Sequence, residues 1–239
     1  MPRESLGAAA KGKREPLSSS ILTRLRSEIL NGQFVPGDRI NVDQVRLSYG
    51  VSLSPLREAL SKLVSDGLVE ADEQRGFRVT PISEANLREL MWLRKLMEGA
   101  ALQRSMELGG DDWGAEVVAT LHRLERLTVR KRDSGGEIDE DWEHWHRQFH
   151  IALISACDSP LLRQFCVSLH DLTDRYRRIF NRLIKTNRQP GQEHRDIATA
   201  ALERDATTAL KLMERHIERT GADILVVMPH HALQVVSEE

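Results

Sequence analysis

The chain has 239 residues, 40% of them hydrophobic and 5% aromatic, with 34 Lys and Arg against 36 Asp and Glu. That is enough apolar material for two domains of ordinary size, while charges interrupt every apolar run well short of the roughly 18–20 residues that a bilayer span needs. With only Cys157 and Cys166, and no basic start followed by an apolar stretch, a secreted disulfide framework is not expected; the composition points to a cytoplasmic protein with ordinary buried thiols.

Residues 1–16 carry small and charged side chains without apolar periodicity and read as a disordered basic arm. From Ser18, "SSSILTRLRSEILNGQF" sets Ile21, Leu22, Leu25, Ile29 and Leu30 on one helical stripe that ends at Asn31-Gly32. "VPGDRI" then reads as a turn, and Asn41 caps a second, short helix with Val42, Val45 and Leu47 as its apolar positions and Gly50 as its stop. A third helix follows, with Leu56, Leu60, Leu63 and Val64 on its buried face, Ser54 as its cap and Pro55 at its first position. Its outer face begins with Ser52, Ser54 and Arg57. An arginine at a helix N-terminus opposes the macrodipole by up to about 1 kcal/mol, a balance that a DNA phosphate or a guanine edge reverses. Two alternating segments, Leu68–Ala71 and Phe77–Val79, flank a polar tip with Arg75 and Gly76 and predict a hairpin wing. Each piece alone is an ordinary capped helix or surface hairpin; their order within 65 residues makes a winged helix-turn-helix of DNA-binding type over 17–81.

Residues 82–226 read as an antiparallel helical bundle, with a tail at 227–239. Leu87, Leu90, Met91, Leu96 and Met97, then Leu121, Leu124 and Leu127, then Ile151, Leu153 and Ile154, then Leu162, Phe165, Leu169 and Leu172 form core stripes at helical spacing. The fold class is therefore mainly α. His146 and His150 are four apart and point the same way on a helix. His194 and His216 would be about 33 Å apart on one straight helix, but Asp205 is a good cap, and a turn near Arg204-Asp205 brings them side by side in an antiparallel pair. Four histidines from three helices can then hold a divalent metal, although any one of them alone is more often a core or surface residue. His144 is out of phase with that face. Arg175, Tyr176 and Arg178 are candidates to neutralise a carboxylate, Arg175 first because it shares the phase of Leu172 and Ile179; an internal salt bridge to Glu98 or Asp171 competes with that role. The chain has no His-Glu-x-x-His, G-x-S-x-G elbow or phosphate loop, so a helical metalloenzyme is only a remote alternative and no enzymatic activity is expected.

The stretch "GVSLSPLREALSKLVSDGLVEADEQRGFRV" resembles the winged-helix domain of the GntR family of bacterial transcription regulators, whose pattern runs close to G-V-S-R-T-P-V-R-E-A-L, E-G-L-V and R-G-F-x-V. Carried over position by position, the resemblance assigns DNA contact to Ser52, Leu53, Ser54, Arg57, Arg75 and Gly76, with Leu53 standing where that family usually has arginine. "LRKLMEGAA", "WHRQFHIALISACDSPLL" and "EHRDIATAALERDATTALKLMERHI" are similar to the all-helical effector (FCD) domain of the FadR-like branch, and "GGDDW" and "DLTDRYR" to its glutarate- or 2-hydroxyglutarate-responsive repressors. The resemblance matches His150, His194 and His216 to metal ligands and places Arg94 at an effector cavity, where Glu98 would orient it. His146 stands where Asp is usual. That implies either an all-nitrogen site favouring zinc or nickel, or direct binding of the effector by the imidazoles. The expectation is a homodimeric repressor on a palindromic DNA operator, without membrane association, controlled by a small carboxylate; a sensor in which zinc or nickel is itself the signal is the alternative.

Overall fold

Ile21, Leu25, Ile29 and Leu30 lie along one face of α1 (Leu17–Leu30) and are buried against the third helix. The computed structural model describes residues 17–72, 75–133, 140–180, 183–184 and 188–235, so the arm expected at 1–16 falls outside it. Beyond Gly32 come β1 (Arg39–Ile40), α2 (Val42–Tyr49) and α3 (Leu53–Ser65). The Gln44 amide donates to the Asn41 side chain at 3.0 Å, and Gly50 ends α2 at φ +64°, a left-handed conformation that a side chain would strain. α3 starts at Leu53 with Ser52 in the cap position, so Ser54 lies inside the first turn rather than capping it. Pro55 permits this, because amides of a first turn have no intrahelical acceptor to lose.

β2 (Val69–Asp72) and β3 (Gly76–Val79) form the expected hairpin, and β1 pairs with β3 to give a three-stranded sheet of order β1-β3-β2. The sequence reads β1 only as a turn, since two residues show no alternation. What makes it a strand is the pairing of Arg39 with Arg78 and Ile40 with Phe77.

Ser83 then caps α4 (Glu84–Leu108), which begins a helical bundle completed by α5 (Asp111–Asp133), α6 (Glu140–Leu153), α7 (Pro160–Phe180), α8 (Pro190–Leu202) and α9 (Ala206–Val235). α4 packs on α7 and α9, α5 on α6 and α8, and α8 on α9. The turn between α8 and α9 is where the sequence puts it: Arg204 is left-handed at φ +60°, and the Asp205 side chain accepts from the Thr208 amide at 3.1 Å. Two readings need correction. α9 runs past 226, because Leu225, Val227 and Met228 pack on the cluster of Leu87, Tyr176 and Phe180, so residues 227–235 are helix rather than tail. Leu96 and Phe165, expected in the core, are half exposed, as are Trp92 and Leu161 on the same two helices. No described helix is long and apolar enough to cross a membrane.

The winged domain rests on α7. Leu172 packs into its apolar cluster, Arg26 of α1 reaches Asp171 at 2.8 Å, and Arg178 reaches the Asn31 side chain at 2.6 Å.

Candidate DNA-contacting face and metal centre

Leu56, Ala59, Leu60 and Leu63 turn one side of α3 into the core, which forces Ser52, Leu53, Ser54 and Arg57 to the outside. All four are exposed, as are Arg75 and Gly76 at the wing tip, where Gly76 has φ +89°. Arg57 has no ion pair with any described residue, so its charge is available to a partner.

The second site is assembled by three helices. Trp142, Phe149 and Leu153 bury one face of α6, carrying His146 and His150 inward with them, and the α8–α9 hairpin presents His194 and His216. All four are buried, and one ring nitrogen of each lies within 4.8 Å of the others. The ring centroids of His146 and His150 are 4.8 Å apart, and those of His194 and His216 are 4.7 Å apart. Burial, reinforced by neighbouring rings and arginines, pushes every one of these imidazoles below its ordinary pKa. They are neutral at physiological pH and present lone pairs, the form a metal needs.

The residues fit a divalent ion. Nδ1 of His146, both ring nitrogens of His150 and Nε2 of His194 are buried without a protein partner, each costing about 1–3 kcal/mol unless something satisfies it. With bonds near 2.1 Å, two nitrogens on opposite sides of an octahedral ion are about 4.2 Å apart and two on a tetrahedral zinc about 3.4 Å, so a pair 4.8 Å apart would close by roughly 0.6–1.4 Å. Imidazole suits zinc and nickel, and four such ligands around an octahedral ion leave two positions for other donors.

Beside the cluster lies a cavity lined also by Arg94, His170, Thr173, Asp174, Arg177 and Thr220. It has room for about one water or ion. Arg94 lines it, held by Glu98 through Nε at 2.5 Å and Nη2 at 3.2 Å; Glu98 supports it from behind the wall. Arg175 and Tyr176 are not at the cavity. The Arg175 guanidinium donates to Thr80 O at 2.8 Å and Pro81 O at 3.3 Å, and the Tyr176 hydroxyl accepts from the Ser83 amide at 3.1 Å and donates to Asn86 Oδ1 at 2.8 Å. They clamp the segment joining the two domains. Arg175 does share the phase of Leu172 and Ile179, but that face of α7 meets the winged domain, the linker and the apolar cluster of Leu87 and Ile224, away from the cavity.

The opposite face of α7 supplies His170, Thr173, Asp174 and Arg177, which sequence reasoning missed. Their spacing of three and four was the available signal, in the same "HDLTDRYR" that yielded Arg175. Arg177 is paired with Glu143 and Asp174, and Asp174 also accepts from Arg178 Nε at 2.9 Å. Burial would raise the Asp174 pKa, but Arg177 and Arg178 outweigh it and hold the carboxyl well below its usual range. His170 is buried and neutral, lowered by burial and by Arg94, and its Nδ1 has no protein partner.

A winged helix-turn-helix joined to an all-helical bundle is the architecture of a DNA-binding regulator. The chain belongs to that class by family as well: residues 17–79 match the bacterial regulatory proteins of the gntR family and residues 89–219 match the FCD domain. It is 37% identical over 202 residues to the uncharacterized HTH-type transcriptional regulator BphR of Paraburkholderia xenovorans (strain LB400), covering 84% of this chain and 82% of that one. It is 32% identical over 197 residues to the HTH-type transcriptional repressor GlaR of Escherichia coli (strain K12), covering 81% and 89%. Among solved structures, E. coli McbR/YncC shares the fold with a TM-score of 0.74 at 19% identity, covering 89% of this chain and 98% of that one. BphR and GlaR are named as transcription regulators, and this chain, of the same family, is a transcription regulator rather than an enzyme.

Proposed function

We propose that the chain is a repressor that binds a palindromic DNA operator as a homodimer through α3 and the wing, and that a small carboxylic acid bound in the helical domain controls this binding. Glutarate and 2-hydroxyglutarate are the favoured acids, with a zinc or nickel ion on His146, His150, His194 and His216 supplying an anchoring charge. One observation carries the reading: four buried, neutral imidazoles converge beside Arg94 and Arg177. With no carboxylate among its ligands, a divalent ion there keeps its full charge, and an anion is what balances it. Arg94, Arg177 and the unpartnered His170 Nδ1 are the groups that would take the acid's oxygens. The relative named as a repressor, GlaR, supports the direction of control.

A thermal-shift titration with C3 to C6 mono- and dicarboxylates, before and after chelation, tests this. A ligand at 100 times its dissociation constant adds about 2.7 kcal/mol of stability. A selective shift with a five-carbon diacid that chelation abolishes is the expected result, and operator release by the same acid should follow. No shift with any acid, together with operator affinity that tracks free zinc or nickel, would replace this proposal with the metal sensor, a reading favoured by a cavity that admits an ion as it stands.

A further inference from the structure

His216 offers one ring nitrogen to the cluster with the other three histidines, and its Nδ1 lies against Glu193. We infer that Glu193 is a positioning residue for the metal centre: it accepts the Nδ1 proton of His216 and so leaves Nε2 as the atom that binds the ion. This rests on the metal reading proposed above.

Glu193 Oε2 lies 2.9 Å from His216 Nδ1. A carboxylate only accepts. If Nδ1 carried a lone pair instead of a hydrogen, two acceptors would face each other at hydrogen-bond distance, so the proton belongs on Nδ1. Arg188 Nη2 also approaches Nδ1, at 3.2 Å, and as a donor it would call for the opposite tautomer. Its hydrogens have better acceptors, Glu193 Oε2 at 2.5 Å and His216 O at 3.2 Å, so it need not donate to the ring.

Glu193 cannot swing away. Arg188 grips it as a fork, Nε to Oε1 at 2.8 Å and Nη2 to Oε2, while Arg219 holds Oε1 at 2.9 Å. Arg188 is itself fixed by Thr220 Oγ1 at 3.0 Å and Asp223 Oδ2 at 3.2 Å. Both arginines are cations, so the carboxylate lies between two fixed positive charges and the ring. The dipeptide Glu193-His194 thus has two jobs. His194 supplies a nitrogen from α8, and Glu193, in the first turn of α8, aims a nitrogen carried by α9. An anionic acceptor behind a ligating imidazole also raises the basicity of the nitrogen on the metal side.

The test uses the full-length protein as wild type, Glu193→Gln and Arg219→Gln. Nickel and zinc affinities are measured by competition with a chelating dye, and the His216 tautomer is read from long-range 1H–15N correlation spectra of the metal-free protein. Glu193→Gln keeps the size of the side chain but loses its charge, and its one remaining acceptor oxygen must serve both Arg188 and the ring. The expected result is His216 in the Nδ1–H form in wild type, a loss of metal affinity of about 10–100-fold in Glu193→Gln, and a smaller loss in Arg219→Gln, which removes one of the two arginines on the carboxylate but leaves Arg188 and the contact with the ring in place. A structural role alone would lower the melting temperature of Glu193→Gln and leave its metal affinity and the tautomer unmoved, and that pattern overturns the inference. So does an Nε2–H tautomer in wild type. A wild type that binds neither ion overturns the metal reading and this inference together, whereas equal binding by wild type and Glu193→Gln overturns this inference alone.

Discussion

Arg57 shows what a single residue discloses before any fold is known. It follows a run of small polar residues at a helix start, works against its own helix dipole, and sits one position after the buried Leu56, so the core itself turns it outward. Arg57→Ala is expected to weaken operator binding and to reduce the slope of log affinity against log salt by about 1, in the manner of one lost phosphate contact. Fluorescence anisotropy at several salt concentrations measures both; an unchanged affinity and slope would remove Arg57 from the interface. Leu53, exposed beside it, offers apolar contact instead of the second charge that the family pattern carries there. The histidines were legible for a different reason. Spacing of four on α6 and near-equal distances from the capped turn at Arg204-Asp205 require only helix geometry, while Glu193 and Arg188 act through side-chain directions that no spacing encodes.

At the scale of the element, α7 marks the limit of pattern reading. Periodicity says that a face is buried and is silent about what buries it. α7 has two such faces, one on the bundle cavity through His170, Asp174 and Arg177, the other on the winged domain and linker through Leu172, Arg175 and Ile179. An arginine on either looks the same in sequence. Arg175 is 1% exposed, and its guanidinium serves the carbonyls of Thr80 and Pro81. Arg175→Ala should therefore cost about 1–3 kcal/mol, the penalty of leaving buried polar groups unsatisfied, and should expose the segment 80–83 to protease. Urea unfolding and limited proteolysis check this; loss of acid binding with the linker still protected would return Arg175 to the cavity. β1 and the last turns of α9 escaped the sequence for a related reason, because partners distant in the chain, Arg78 and Phe77 in one case and the Leu87 cluster in the other, decide them.

For the whole molecule, the cavity and the DNA-binding head share α7 as a common wall. The cavity admits one water or ion, so a five-carbon acid enters only if its walls move. Arg177 and Asp174 form part of that wall; Asp174 holds Arg178, and Arg178 holds Asn31 at the end of α1. Asp171 joins the head to the same helix through Arg26 and braces it against α6 through Arg147 at 2.6 Å. If the proposed acid draws Arg177 from Asp174, Asp174 and the Arg178 it holds are free to shift, and with them one of the contacts that orient the head. Linkage makes this reciprocal: whatever the acid does to DNA affinity, DNA does to acid affinity by the same factor. The double variant Arg26→Ala/Asn31→Ala removes three side-chain contacts of the head, with Asp171, Arg178 and Glu140, while leaving every cavity residue in place. If acid binding must work against those contacts, acid affinity in the absence of DNA should rise about fivefold or more, equivalent to roughly 1 kcal/mol of partly exposed polar contact, and the factor by which acid changes operator affinity should shrink. Calorimetric titration of acid with and without operator measures both quantities, with circular dichroism to confirm the fold. An unchanged acid affinity and an unchanged coupling factor would mean that the signal reaches the DNA by a route other than the α1–α7 contact.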